Sequence, residues 1–325
     1  MSFDSYGSQK NESNKPTVDY EAINKHVVEV AQLEQPEVLV GYVSVIADLG
    51  TQEQADAEVV FTGDEEAERQ AVADNPNTYF KDGFDQQTKK QVRLKCWPQK
   101  PIQSVAVAVD FPEILVDKGQ FFGESNPLPL RLWLGGQFYI PDSGMVVGRP
   151  TPLKINKAAG FWSFDKKHLF HKMAVAGKLI KAEEAFLPQD IDKLLGKAFQ
   201  FTAQIFFKES KGKQHYTENV KFTGALGRGQ SEPELLTTPQ LVQFNQQNTP
   251  EALKELRAHV INTIKRAKNF EGSSIQKQLE DARPVKAAEE AKEEVPEAPK
   301  PVARKAVKPK TTESAGSFED SDIPF

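Results

Sequence analysis

The stretch Phe199-Gln200-Phe201-Thr202-Ala203-Gln204-Ile205-Phe206-Phe207-Lys208 decides the fold. Phe199, Phe201, Ala203, Ile205 and Phe207 alternate with Gln200, Thr202, Gln204 and Lys208, the two-residue period of a strand buried on one face. Lys211-Gly212-Lys213 supplies a turn, and Tyr216, Val220 and Phe222 continue the alternation on the return strand. Phe206 breaks the pattern by lying on the polar side with Gln204 and Lys208. It is either a stacking platform or a core ring packed from a second side.

Away from this hairpin the chain reads as short strands with a few helices. Residues 38–46 are rich in β-branched side chains, and Asp48-Leu49-Gly50 is the expected turn after them. The acidic stretch 52–77 has few large apolar residues and is expected to be a long exposed excursion. Two more strands are expected at 91–97 and 104–111, the second ended by Pro112, while 119–140 reads as loop around the apolar run 130–134. A helix is predicted over 165–180, capped by Ser163 or Asp165, and a short helical turn over 188–195, stopped by Gly196. Thr249-Pro250 opens a further helix, predicted to run to about residue 270, with Thr at the cap and Pro at the first helical position. The fold class is therefore mainly β with accessory helices.

Composition limits the function. The 325 residues carry 41 basic and 46 acidic side chains, and hydrophobic residues are only 38%. Beyond about residue 281 the sequence turns to Ala, Pro, Lys and Glu, which cannot bury enough apolar surface to fold, so 281–325 is expected to be a disordered linker. The charge is segregated: residues 1–149 carry 13 basic and 23 acidic side chains, whereas 150–224 carry 13 and 7. A mildly acidic total argues against bulk-charge coating of DNA and leaves room for a local basic groove, because screening acts within about 10 Å. No apolar run reaches the roughly 20 residues of a membrane span, and the polar start does not read as a secretory signal. The single Cys96 leaves no disulfide framework. His168, His171 and Cys96 do not complete a metal shell. The glycines 224, 227 and 229 lack the Gly-Lys-Ser/Thr ending of a phosphate loop. No nucleophile–base constellation stands out, so neither an enzyme nor a cofactor is expected.

The most specific signal is the end, Ser317-Phe318-Glu319-Asp320-Ser321-Asp322-Ile323-Pro324-Phe325. Clustered carboxylates beside an apolar Ile-Pro-Phe on a flexible tether suit docking. Phe325, with Ile323 beside it in the apolar anchor, would enter an apolar pocket while its terminal carboxylate meets a basic side chain. Glu319, Asp320 and Asp322 would face a basic rim, and Pro324 fixes one backbone angle. This end resembles the acidic tip of bacterial single-stranded DNA-binding proteins, usually Asp-Asp-Asp-Ile-Pro-Phe, with Ser321 replacing a central aspartate. The resemblance implies recruitment of replication or recombination proteins of the polymerase, primase, helicase or nuclease class.

The core layout is similar to single-stranded DNA-binding proteins of tailed phages: Gly41 to Gly50 leading into a long insertion, a strand at 92–97, and the Leu195-Gly196-Lys197…Gly212-Lys213…Tyr216 hairpin. That resemblance implies an oligonucleotide-binding (OB) barrel and a protein working in the cytoplasm of a bacterial host cell. Unpaired strands need cations for phosphates and rings for bases. The candidates are Arg93, Lys95 and Trp97 on one strand face; Phe206 with Lys208, Lys211 and Lys213; Trp162 with Lys166 and Lys167; and Tyr42, opposite Val43 and Val45. The expected division is a polar arm over 1–30 that becomes helical or extended near 20–31, the binding domain over 31–230, a helical extension over 231–280 and the tail over 281–325. A homo-oligomer is compatible, the apolar stripe of the 249–270 helix serving equally a barrel or a subunit contact. Two rivals stay open: an adaptor that captures replication proteins by its tip without touching DNA, and a replication or recombination enzyme with a recruitment tail. A nuclease would need a carboxylate cluster, for which Asp48, Asp110 and Asp117 are the candidates.

Overall fold

A computed structural model describes residues 19–281, apart from 86–87, 141–143, 149, 157–159, 211–212 and 255. The docking residues Glu319, Asp320, Asp322, Ile323, Pro324 and Phe325, and Lys211 of the hairpin turn, lie outside the described residues. Of Lys213 only the backbone is described, as the first residue of a strand.

Helix α1 (Tyr20–Ala31) starts where the Asp19 side chain accepts from the Ala22 N–H, and it buries Ile23, Val27, Val28 and Ala31. The polar arm expected over 1–30 therefore ends in a core helix. Strand β1 (Glu37–Gln52) does not stop at the expected turn. Its register shifts between Asp48 and Thr51, and Gly50 takes φ +72°, so the turn signal marks an irregularity inside one long strand. Ring atoms of Phe244 would lie 2.4 Å from any Cβ added at Gly50, so this strand also needs glycine there for closeness.

The stretch expected as an excursion forms β2 (Ala57–Phe61) and α2 (Glu65–Asp74), the helix capped by Asp64. With β3 (Tyr79–Phe84) and β4 (Gln91–Trp97), β2 makes a separate antiparallel sheet in the order β2-β4-β3. Strand β5 (Ile102–Asp117) continues past Pro112 because its register with the next strand slips between Phe111 and Leu115, where the proline needs no ladder donor. The one-turn helix α3 (Gly119–Phe122) leads to β6 (Pro127–Trp133), a strand where loop was expected. Short strands follow: β7 (Gln137–Ile140) paired with β8 (Gly144–Val147), β9 (Thr151–Pro152) on β5, and β10 (Ile155–Asn156) paired with β11 (Ser163–Phe164).

Helix α4 (Leu169–Ala176) is shorter than the predicted 165–180, because His168 Nδ1 accepts from the Phe170 N–H and caps it late. A 3₁₀ helix (Pro188–Leu194) matches the short turn expected there. The hairpin is present as β12 (Ala198–Ser210) and β13 (Lys213–Gly224). After β14 (Gln240–Val242) the single helix expected over 249–270 is two, α5 (Pro250–Lys254) and α6 (Ala258–Lys265), followed by α7 (Ser274–Asp281). Arg257 breaks the run with an extended ψ of 154°.

The main sheet follows the path β13-β12-β1-β5-β6, each neighbour antiparallel, with β14 joining β1 in parallel. Its end strands come close, β13 contacting β6. One face holds a core of α1, α4 and residues such as Phe111, Leu132, Phe199 and Phe201. The other carries a second core, Val45, Ala47, Ala106 and Ala108 covered by Phe244, Val260, Ile264 and Ile275. The molecule is thus mainly β, and the expected extension over 231–280 completes the sandwiching of the same sheet. Among the described residues no helix is long and apolar enough to cross a membrane.

Candidate nucleic-acid interface

The hairpin positions the strongest candidate surface. On β12 the inward side chains Phe199, Phe201, Ala203 and Ile205 are fully buried, which fixes the strand's rotation and sends Gln200, Thr202, Gln204, Phe206 and Lys208 outward. Opposite residues in an antiparallel pair share a face. The pairs Thr202↔Lys221, Gln204↔Asn219, Phe206↔Thr217 and Lys208↔His215 therefore extend that outer face onto β13. The Thr202 and Thr223 hydroxyls meet across it at 3.1 Å. None of these outward residues is acidic; Glu218 points inward, and Glu209 follows the inward parity.

Phe206 is half-buried but packs against neither core, unlike its neighbour Phe207, which packs against the inner one. Phe206 is therefore an outward ring two residues from exposed Lys208, on the same face as exposed Lys221 further along the hairpin. Sequence reasoning missed Lys221 and His215. The signal was available in the hairpin register, which pairs them with residues already on the polar side.

The strand face of Arg93, Lys95 and Trp97 belongs to the separate β2-β4-β3 sheet. Alternation does put the three on one side: Leu94 and Cys96 are buried, and the three are half-buried. Arg93 is committed, however. Its guanidinium donates to Glu68 at 2.8 Å and to Asp82 at 3.1 Å, and lies 5.8 Å from the centre of the Phe80 ring. Those hydrogen bonds, Glu68 first, hold its pKa above the ordinary value. Residues 51–100 also carry 10 acids against 7 bases, so this sheet offers phosphates a weak attraction.

Tyr42 is corrected. It is fully buried, its hydroxyl hydrogen-bonded to Thr237 Oγ1 at 3.1 Å, so neither face of its ring is open to a base. It belongs to a polar network in which Asp110, also fully buried, accepts from Ser44 at 2.7 Å, Thr237 at 2.7 Å and Arg131 at 2.7 and 2.9 Å.

In the third group Trp162 and Phe161 are exposed, as are Lys166 and Lys167, while Phe164 is buried and stacks on His168 at 4.8 Å. Lys166 lines a shallow concavity of about 410 Å³ with Lys172 of α4 and with Phe222 and Gly224 of β13. This basic loop thus borders the far end of the hairpin.

The three carboxylates considered for a nuclease do not converge. Asp110 holds Arg131; Asp117 accepts from Ser125 and the Gly119 N–H; Asp48 accepts from Gln103 and the Gly50 N–H. Among the described residues no group of three or more His, Cys, Asp or Glu side chains is placed to hold a metal ion. His168 and His171 instead bond to the Pro152 and Glu184 carbonyls. Comparison with protein-family models, curated proteins and solved structures returned no match.

Proposed function

We propose that this protein binds single-stranded DNA with little sequence preference on the outer face of β12 and β13. In this reading it serves phage DNA replication, recombination or repair in a bacterial host cell, and it draws replication proteins to the strand through residues 319–325. The observation that carries the reading is the acid-free hairpin face, which carries Phe206, Lys208, His215 and, further along, Lys221. A ring offers a stacking surface to any base, and the lysines meet phosphates, the two requirements for unpaired strands. The five-strand path whose ends approach each other fits a partly open oligonucleotide-binding barrel, and exposed Trp162, Lys166 and Lys167 extend the basic surface from one end. The Arg93, Lys95 and Trp97 face is secondary, because Arg93 already has two acidic partners.

The test is a salt-series titration of the full chain with single-stranded, duplex and RNA oligomers of equal length. Single strands should bind most tightly, with log affinity falling linearly in log salt by roughly 0.7 per phosphate contact. Replacing Lys208 and Lys221 together by Ala removes two exposed cations and should reduce that slope by about 1.4. An unchanged slope, or equal affinity for duplex, overturns the assignment of this face. A chain that ignored single strands yet lost a captured protein on removal of 319–325 would be an adaptor.

A further inference from the structure

Between the two approaching end strands lies a cavity of about 140 Å³ that the hairpin face does not use. Residues 128–131 of β6 form one wall and Tyr216 and Glu218 of β13 the other, with Lys118 and Arg257 at its sides. Its volume is close to the ~150 Å³ that accommodates a benzene-sized guest, room for a phosphate group but not for a whole nucleotide.

The charges in it are unbalanced in a specific way. Arg131 is neutralised by Asp110. The Lys118 and Arg257 side chains make no ion pair among the described residues, and Arg257 remains accessible to solvent. Burial, and then the repulsion of Arg257, push the Lys118 amine down to about 8. Glu218 Oε2 is buried without a hydrogen-bond partner, and burial pushes its carboxyl up. Tyr216 is held far above its usual value by burial and stays a donor. Helix α1 and β7 add only uncharged groups, Asn24, Val27 and Gln137. Glu218 attracts both cations, but one carboxyl against two cations leaves an excess of positive charge, which a bound anion with several acceptor oxygens would relieve.

We propose that this cleft is a phosphate site, in which Lys118 and Arg257 hold a phosphate oxyanion between them. The source of the phosphate rests on the preceding reading: a nucleic-acid strand on the hairpin can reach the cleft around β13, the edge strand that serves both, by a terminal or backbone phosphate. Affinity should fall above pH 8, as Lys118 loses the charge that the anion needs.

The experiment is calorimetric titration of the full chain with inorganic phosphate, and with one short oligothymidylate carrying either a 5′-phosphate or a 5′-hydroxyl. Lys118→Met should weaken phosphate at least tenfold. Glu218→Gln removes the opposing charge, keeps a donor and should tighten phosphate several-fold, a gain that misfolding does not produce. Replacing Lys208 and Lys221 by Ala should weaken both oligomers and leave inorganic phosphate unchanged. The 5′-phosphorylated oligomer should bind better than its partner, and Lys118→Met should erase the difference. Absence of phosphate binding, or phosphate binding indifferent to Lys118→Met and Glu218→Gln, overturns the site. Equal binding of the two oligomers, both indifferent to Lys118→Met, overturns the strand as the source. Phosphate binding without oligomer binding supports the cleft and sinks the single-strand reading.

Discussion

His259 shows how much one buried side chain can weigh. It is 8% exposed on α6, its ring edge-on to Trp133 at 5.5 Å, and its Nε2 is buried without a hydrogen-bond partner. Burial, and then the charge of Arg257, push its pKa down to about 4. The unfolded chain takes up this proton near pH 6.5, the folded one only near pH 4, so between those values the unfolded state binds more protons and stability falls as the pH falls. From pH 7 to pH 5 the loss from this residue should be about 2 kcal/mol. Chemical denaturation at the two pH values should show it, and His259→Leu should remove most of that dependence. A dependence that survives the substitution would place the acid sensitivity elsewhere. The same scale explains why Tyr42 misled. Its neighbours in sequence gave a strand with an outward ring, but Thr237 and Asp110, distant in the chain, turn that side into a buried polar network. Alternation reports which side a residue faces and not what covers that side.

At the level of elements, legibility followed the locality of the cause. The hairpin was readable because its alternation, turn and return strand are contiguous, and the structure places Phe201 and Phe206 on opposite faces as the pattern requires. That contrast is testable within one strand. Phe201→Ala should cost about 3–5 kcal/mol of stability, the usual loss for emptying a core ring site. Phe206→Ala should leave the unfolding midpoint nearly unchanged and weaken single-stranded DNA by about 1–3 kcal/mol, the worth of one stacked base. If Phe206→Ala destabilised the fold as Phe201→Ala does, the ring would be structural and the proposed face would lose its platform. Less legible were features decided at a distance. Gly50 and Pro112 signal a break locally, yet each sits at an irregularity of a strand that continues because its partners continue. The 249–270 stripe divided at Arg257, whose extended backbone helps to bring its side chain to the cleft beside Glu218. Of the candidate site, Phe206 and Lys208 were visible from alternation alone. Lys221 and His215 required the cross-strand register, and the Lys118 cleft, built from β5, β6, β13 and the start of α6, left no local trace.

Across the whole molecule, the two cores on opposite faces of one sheet decide which pieces can be removed. Residues 231–281 cover Val45, Ala47, Ala106 and Ala108, so they cannot be cut away as an appendage without exposing apolar sheet. Residues 282–325 are different in kind: their low apolar content gives them little to contribute to either core, while residues 319–325 concentrate Glu319, Asp320 and Asp322. If the hairpin face binds strands as proposed, an acidic segment on the same chain would compete locally for the cations that meet phosphates, and salt would weaken that electrostatic competition. Deleting 319–325 should therefore leave the unfolding transition unchanged and strengthen single-stranded DNA binding several-fold at low salt. The gain should shrink towards nothing near 0.5 M salt, where screening reaches only about 4 Å. The same deletion should abolish capture of replication proteins in a pull-down. Parallel titrations of the intact and truncated chains at two salt concentrations check the first part. Equal affinities at low salt would show that the acidic segment does not reach the hairpin face, and would leave docking as its sole proposed role.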